Sequence, residues 1–297
     1  MDVFVIGASG YIGGSVAAKL LRAGHRVRGL ARSDAAAAAL TAQGIEPVRG
    51  SLTTLEVLAR TAAAVDAVVN AANSDDPFVV EAILPMLENT DKIFVQTSGS
   101  SAIADRAAGD YPGKVFHEDT PAEPLPERAG RVAIDRLVLG YGQRGVRSVV
   151  IRPSLIYGDG LGAKRDSIQV PKMTALAREK GVPLHIGQGL NVWSNVHVDD
   201  VTDLYLLAME RAPAGSMFYA ESGEASMKEV ATWIGRHLGM AEGPRVWPMA
   251  EALAAWGVPA LASFASNSRV RADKARAMLG WQPHGPSLQA VMEGSAV

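Results

Sequence analysis

Three charged side chains at helical spacing stand in PLPERAGRVAIDRLVLGYG, residues 124–142. Glu127 and Arg131 are four positions apart, one helical turn, and Asp135 follows a turn later. A carboxylate such as Glu127 suits general acid or base work, and an arginine one turn away lowers its pKa. Arg131 is a fixed cation with several donors, which binds oxygen-rich groups but does not shuttle protons. The plainer alternative is an ion pair on a solvent-facing helix, worth roughly a few tenths of a kcal/mol. Ser98 and Ser100 close KIFVQTSGS, and Tyr157 lies near the end of RSVVIRPSLIYG. Ligands of open α/β sheets bind at the carboxyl ends of strands, so these hydroxyls stand where a substrate would. No metal site is expected. Cysteine is absent, and nothing completes a ligand set around His197, Asp199 and Asp200.

GASGYIG, residues 7–13, follows an apolar run and opens a helical one. Gly7 permits a tight turn, Gly10 lets backbone approach a pyrophosphate, and Gly13 lets the helix pack close to the sheet. The helix N-terminus then offers free N–H groups to phosphates. This strand–turn–helix setting predicts a dinucleotide site. The second strand ends in GLARSD, with no acid to bind a ribose 2′-hydroxyl before Asp34. Arg32 and Ser33 instead suit a 2′-phosphate, so NADP(H) is expected over NAD(H).

The elements that must position these groups are legible as alternating runs. Strands are predicted at 3–7, 26–31, 45–50, 66–72, 92–98 and 147–158, with helices at 11–23, from Ser33, from about Leu55, at 77–88 and at 124–142. Strand and helix alternating in this way predict an α/β fold: a Rossmann-type, doubly wound parallel sheet covered on both faces. The pattern breaks after Gly158, and a helix follows at 169–180. NVHVDD (195–200) and a helix at 201–211 read as a return to the main sheet. The expected organisation is a nucleotide-binding domain of residues 1–165 and 190–215, with a smaller C-terminal substrate-binding subdomain of 166–189 and 216–297. The uncharged run at 252–268 reads as helix, turn, helix, broken by Gly257 and Pro259 and too short for a convincing membrane span.

The chain has 297 residues, a net charge of −2, and 48% hydrophobic and 20% charged residues. That balance argues against nucleic-acid and anionic-membrane partners. With no cysteine, disulfides and thiolate catalysis are excluded, and the composition fits a reducing compartment. MDVFVIG turns straight into a glycine loop without a signal-like segment, so a cytoplasmic location is expected.

With GASGYIG (7–13), VVNAAN (68–73), FVQTSGS (94–100), RPSLIYG (152–158) and NVHVDDV (195–201) in this order, the chain resembles the extended short-chain dehydrogenase/reductases, the NAD-dependent epimerase/dehydratase group. The resemblance implies a Tyr-xxx-Lys pair on the helix after strand five, assisted by a Ser or Thr. Aligning VAI, Asp135 and RLVL with the family helix puts Glu127 at the Tyr position and Arg131 at the Lys position. The family hydroxyl falls on Gly99, between Ser98 and Ser100. All three catalytic residues are therefore expected to be replaced. Cofactor contacts are expected from Gly7, Ser9, Gly10, Tyr11, Ile12 and Gly13, and from Arg32 and Ser33. Others are expected from Ala71, Ala72, Thr97, Arg131, Pro153 and Leu155.

The leading expectation is an NADP(H)-dependent oxidoreductase for a small carbonyl, alcohol or imine, its proton handled by water, Ser100 or Glu127. The alternatives are an epimerase, dehydratase or lyase with Glu127 as base, and a non-catalytic redox sensor that binds the dinucleotide. The family resemblance also implies a homodimer through the helices at 77–88 and 127–142, whose apolar residues Val79, Val80, Ile83, Ile134, Leu137 and Val138 serve either that seam or the sheet.

Overall fold

The computed structural model describes residues 1–111 and 114–294; residues 295–297, the end of the expected second domain, lie outside the described residues. Its first half is strand and helix in alternation. β1 (Asp2–Ile6), α1 (Tyr11–Arg22), β2 (Arg26–Ala31), α2 (Asp34–Thr41) and β3 (Glu46–Arg49) come first. They are followed by α3 (Leu55–Ala63), β4 (Ala67–Asn70), α4 (Pro77–Ile83), β5 (Ile93–Thr97), α5 (Pro126–Gly140) and β6 (Arg147–Pro153). These six strands lie parallel in one sheet, with β1 at the middle of the order β6-β5-β4-β1-β2-β3.

Alternation along β1 shows why both faces are covered. Val3 and Val5 pack with Val16 and Leu20 of α1, whereas Phe4 and Ile6 pack with Leu58 of α3 and Val80 of α4. Successive side chains of a strand point to opposite faces, so a fully apolar strand needs a helical layer on each. Val79, Val80, Ile83, Ile134 and Val138 are buried in that second layer. On α4, α5 and the turn after α4, the apolar groups facing outward are Phe78, Met86 and Leu137.

Beyond β6 come β7 (Leu155–Tyr157), α6 (Gln169–Lys180), β8 (Leu184–Ile186), β9 (Val192–His197), α7 (Val198–Arg211) and β10 (Ser216–Ala220). The chain ends with β11 (Gly223–Ser226), α8 (Met227–His237), β12 (Arg245–Trp247), α9 (Met249–Trp256), α10 (Asp273–Leu279) and α11 (Leu288–Glu293). The apolar run at 147–158 is two strands in two sheets. It divides at Ser154, whose N–H and hydroxyl both donate to the Ala220 carbonyl, at 3.0 and 2.8 Å.

Two expected boundaries shift accordingly. Residues 192–197 do not return to the main sheet; β9 pairs with β7 and β11 in a separate three-stranded sheet. Conversely β10, expected in the smaller unit, extends the main sheet beside β6 as its seventh parallel strand. Ala275, Leu279 and Trp281 also join the main core, against α7. An apolar segment carries no local mark of the strand it will pair with, so these exchanges are visible only in the fold. A second core, with Leu155, Trp193, Trp247 and Phe264, fills the smaller unit.

Candidate active site

The nucleotide cradle follows from the glycine loop. Gly7 sits at φ +90°, and a Cβ there would meet the Ala71 carbonyl oxygen at 2.7 Å. A Cβ on Gly13 would overlap the Gly7 carbonyl oxygen. Positions 7 and 13 therefore tolerate nothing larger than glycine, and β1, β4 and α1 meet there with backbone against backbone. No acidic residue stands in the first turn of α1, so its positive end is unopposed. A groove of about 650 Å³ runs from here, lined by Gly7, Ser9, Gly10, Arg32, Ser33, Ala71 and Ala72 among others, with no carboxylate in the lining. Asp34, the nearest acid in sequence, is held by Arg49 at 2.9 Å. Ser33 also caps α2, accepting from the Ala36 N–H. A cradle that a Cβ would fill, a free helix end and an exposed guanidinium fit a dinucleotide.

Other expected cofactor contacts divide. Ile12 and Pro153 line a second cavity. Tyr11 is buried and donates to the Gly158 carbonyl at 2.7 Å, so its hydroxyl buttresses the loop after β7. Burial raises its pKa. Thr97 is tied to the Tyr205 hydroxyl at 2.6 Å inside the main core, and Leu155 is packed in the second core.

The second cavity, about 380 Å³, opens on the other side of the first turn of α1, at the carboxyl ends of β5 and β6. Ser98, Ser100, Ser101 and Arg131 form its polar wall, while Ile156, Ile168, Trp193, Pro259 and Phe264 form the apolar one. The three serines look alike in sequence and differ in their partners. Ser98 donates to Asp135 Oδ2 at 2.8 Å. The same oxygen accepts from Arg152 Nε and Nη2 at 2.8 and 2.7 Å, in an ion pair that is 1% and 5% exposed. Burial pushes the Asp135 carboxyl up, against the opposing pull of Arg152. Ser98 thus belongs to a buried brace joining β5, α5 and β6. Ser100 is fully buried and shares a 2.7 Å hydrogen bond with Ser268. Ser101, half-buried, accepts from Arg131 Nη1 at 2.8 Å.

Arg131 is itself held. Its Nε and Nη2 donate to the two oxygens of Asp75, in the loop after β4, at 2.8 and 2.6 Å. The bidentate pair keeps the Asp75 carboxyl below its usual range, through the hydrogen bonds more than through charge. A Cβ built on Gly99, where the resemblance places the family hydroxyl, would lie 3.5 Å from Arg131 Nη1 and 3.7 Å from Ser101 Oγ. Ser101 therefore brings a hydroxyl beside the position that Gly99 leaves bare. Nothing local in FVQTSGSS marks it out from Ser98 and Ser100.

Glu127 does not pair with Arg131. It stands on the outer side of α5 and takes Arg106 Nη2 at 2.9 and 3.2 Å. A backbone N–H and Arg106 hold its carboxyl below the usual range, and it is not part of the cavity wall. Tyr157 is 3% exposed, donates to the Pro286 carbonyl at 2.9 Å, and is pushed up to about 12 by burial. It lines a separate cavity of about 430 Å³ with Arg165 and His237. His117 is exposed and paired with Asp273. Among the described residues no cluster of three or more His, Asp or Glu forms a metal site, and no helix is long and apolar enough to cross a membrane.

Comparison with known proteins agrees with this geometry. The chain is 34% identical over 253 residues to an uncharacterised protein of Schizosaccharomyces pombe, covering 80% of this chain and 81% of that one. It is 30% identical over 321 residues to a 3-diazoavenalumate denitrifying reductase of a Streptomyces species, covering 97% of each. Among solved structures, a dTDP-glucose 4,6-dehydratase of Bacillus anthracis in complex with NAD shares the fold. That likeness has a TM-score of 0.78 at 19% identity, over 99% of this chain and 95% of that one. The family model for the NAD dependent epimerase/dehydratase family matches residues 3–219. The glycine cradle, the parallel sheet and this match together identify the chain as a member of the NAD-dependent epimerase/dehydratase family.

Proposed function

We propose that the protein is an NADP(H)-dependent oxidoreductase acting on a small carbonyl, alcohol or imine, with a proton donor other than the family tyrosine. The observation that carries this reading is the placement of two cavities on either side of the first turn of α1, one a dinucleotide groove and the other walled by hydroxyls and a guanidinium. Arg32 in a groove without carboxylates favours a 2′-phosphate by charge and by bidentate geometry. A nicotinamide dinucleotide, when bound, supplies the hydride donor or acceptor. The protein's own residues then orient the substrate oxygen and manage one proton. Arg131 keeps its protons and holds Ser101 Oγ as an acceptor. The Ser101 hydroxyl hydrogen is left to point outward to a substrate oxygen, and cleft water restores it after transfer. Reductases among the relatives support the same class.

The test is a fluorescence titration with NADPH, NADP+, NADH and NAD+, followed by a screen of carbonyl and imine compounds for NADPH consumption. The 2′-phosphorylated pair should bind about tenfold tighter or more, and Arg32→Ala should erase the difference. Equal affinity for both pairs would remove the NADP assignment. Product formed without net NADPH consumption would indicate an epimerase or dehydratase using the cofactor transiently. Binding of one redox form without any turnover would indicate a sensor.

A further inference from the structure

Lys172 lies in the first turn of α6 and lines the cavity beside the serines. Its ammonium stands 4.5 Å from the centroid of the Trp256 ring and 5.8 Å from that of Phe264. Ring faces attract a cation but do not neutralise it. No aspartate or glutamate lines the cavity, and the charge of Arg131 is already met by Asp75. Among the described residues, Lys172 has no carboxylate within ion-pair distance. Helix stability does not explain the residue either, since a cation in the first turn opposes the helix dipole. On the lysine's own side of the cavity the lining is apolar at Ile168, Pro259 and Phe264 and polar at Gln169 and Ser263. Phe264 and Trp193, whose ring N–H is engaged by the Ser266 carbonyl, are the aromatic residues of the cavity wall, and Trp256 packs behind Phe264 at 4.4 Å between ring centroids.

We infer that the cleft selects an organic anion with a planar, apolar body, its carboxylate bound by Lys172 and its body laid against Trp193 and Phe264. This rests on the reading of the cleft as the substrate site and adds the substrate class. Lys172 is the specificity-determining residue; an uncharged analogue of the same shape leaves the ammonium without a counter-charge in a half-enclosed site. A charge-assisted contact of this kind is worth about tenfold or more in affinity.

The probes are cinnamate and its neutral amide, cinnamamide, measured by equilibrium dialysis against the protein with and without saturating NADP+. Wild type should bind cinnamate about tenfold tighter than cinnamamide, with the difference shrinking as salt rises. Lys172→Arg should keep the preference. Lys172→Met, which retains the stem over Trp256, should lose it while NADP+ affinity and the melting temperature stay unchanged. Equal binding of the two probes, no binding of either, or a preference that survives Lys172→Met would overturn the inference. A parallel loss of NADP+ affinity in Lys172→Met would also overturn it, by assigning the lysine to the nucleotide. Failure of NADP+ to bind wild type, with the cinnamate preference intact, would defeat the proposed cofactor while leaving the role of Lys172 standing.

Discussion

Arg131 connects a carboxylate to a hydroxyl without being able to give up a proton. Asp75 fixes the guanidinium, and the guanidinium fixes Ser101 Oγ. Ser101→Ala should therefore lower kcat by about a hundredfold while leaving dinucleotide affinity unchanged, whereas Glu127→Gln should change kcat by less than about twofold. Steady-state kinetics on both variants separates the two residues. The Asp75 carboxyl titrates below its ordinary range because Arg131 binds its charged form. The contribution of this pair is complete above the unfolded value, near about pH 4, and is lost as pH falls through the lowered native value. A pH–rate profile should show an acid limb beginning below about pH 4, and Asp75→Asn should lack that limb. Residue-scale chemistry was only partly legible in the sequence. Ser98, Ser100 and Ser101 share one short run, and partners 37, 168 and 30 positions away decide which is brace, which is core and which faces the cleft. Lys172 carried no motif, because its meaning depends on Trp256 and Phe264.

The elements built from local pattern were readable where one strand and the following helix suffice. The glycine loop is such a case: Gly7, Gly10 and Gly13 act through contacts within β1, α1 and the end of β4. The run RSVVIRPSLIYG was not, because Ser154 sends its two halves to different sheets. Leu155 accordingly packs in the second core. Leu155→Ala should cost about 2–5 kcal/mol in urea denaturation and leave NADP(H) affinity unchanged at temperatures where the variant is folded.

At the scale of the whole molecule, the two cores are joined by a returning segment. Residues 266–271 run between β9 and two stretches of the connection before α5, at 105–110 and 116–117. Ser194 bonds both the N–H and the carbonyl of Val270, and Phe116 bonds Arg269 and Arg271. Asn267 is held by Asp105, and Ser268 by Ser100. With the same few residues bridging both units, neither should melt alone. Trp193 and Trp247 report the second core, while far-UV circular dichroism reports mainly the parallel sheet and its helices. The two denaturation curves should coincide, and separated midpoints would show that the bridge is not cooperative.

The order in which a ribosome delivers this chain gives the returning segment a further meaning. Every residue that lines the dinucleotide groove has left the exit tunnel by Ala72 and shortly after, whereas the cleft waits for Pro259, Ser263 and Phe264. Ser268, which closes over Ser100, emerges later still. Synthesis, proceeding from the N-terminus, therefore completes the lining for the cofactor long before the wall for the substrate. A nascent chain is furnished to hold a nucleotide before it is furnished to hold anything on which that nucleotide would react.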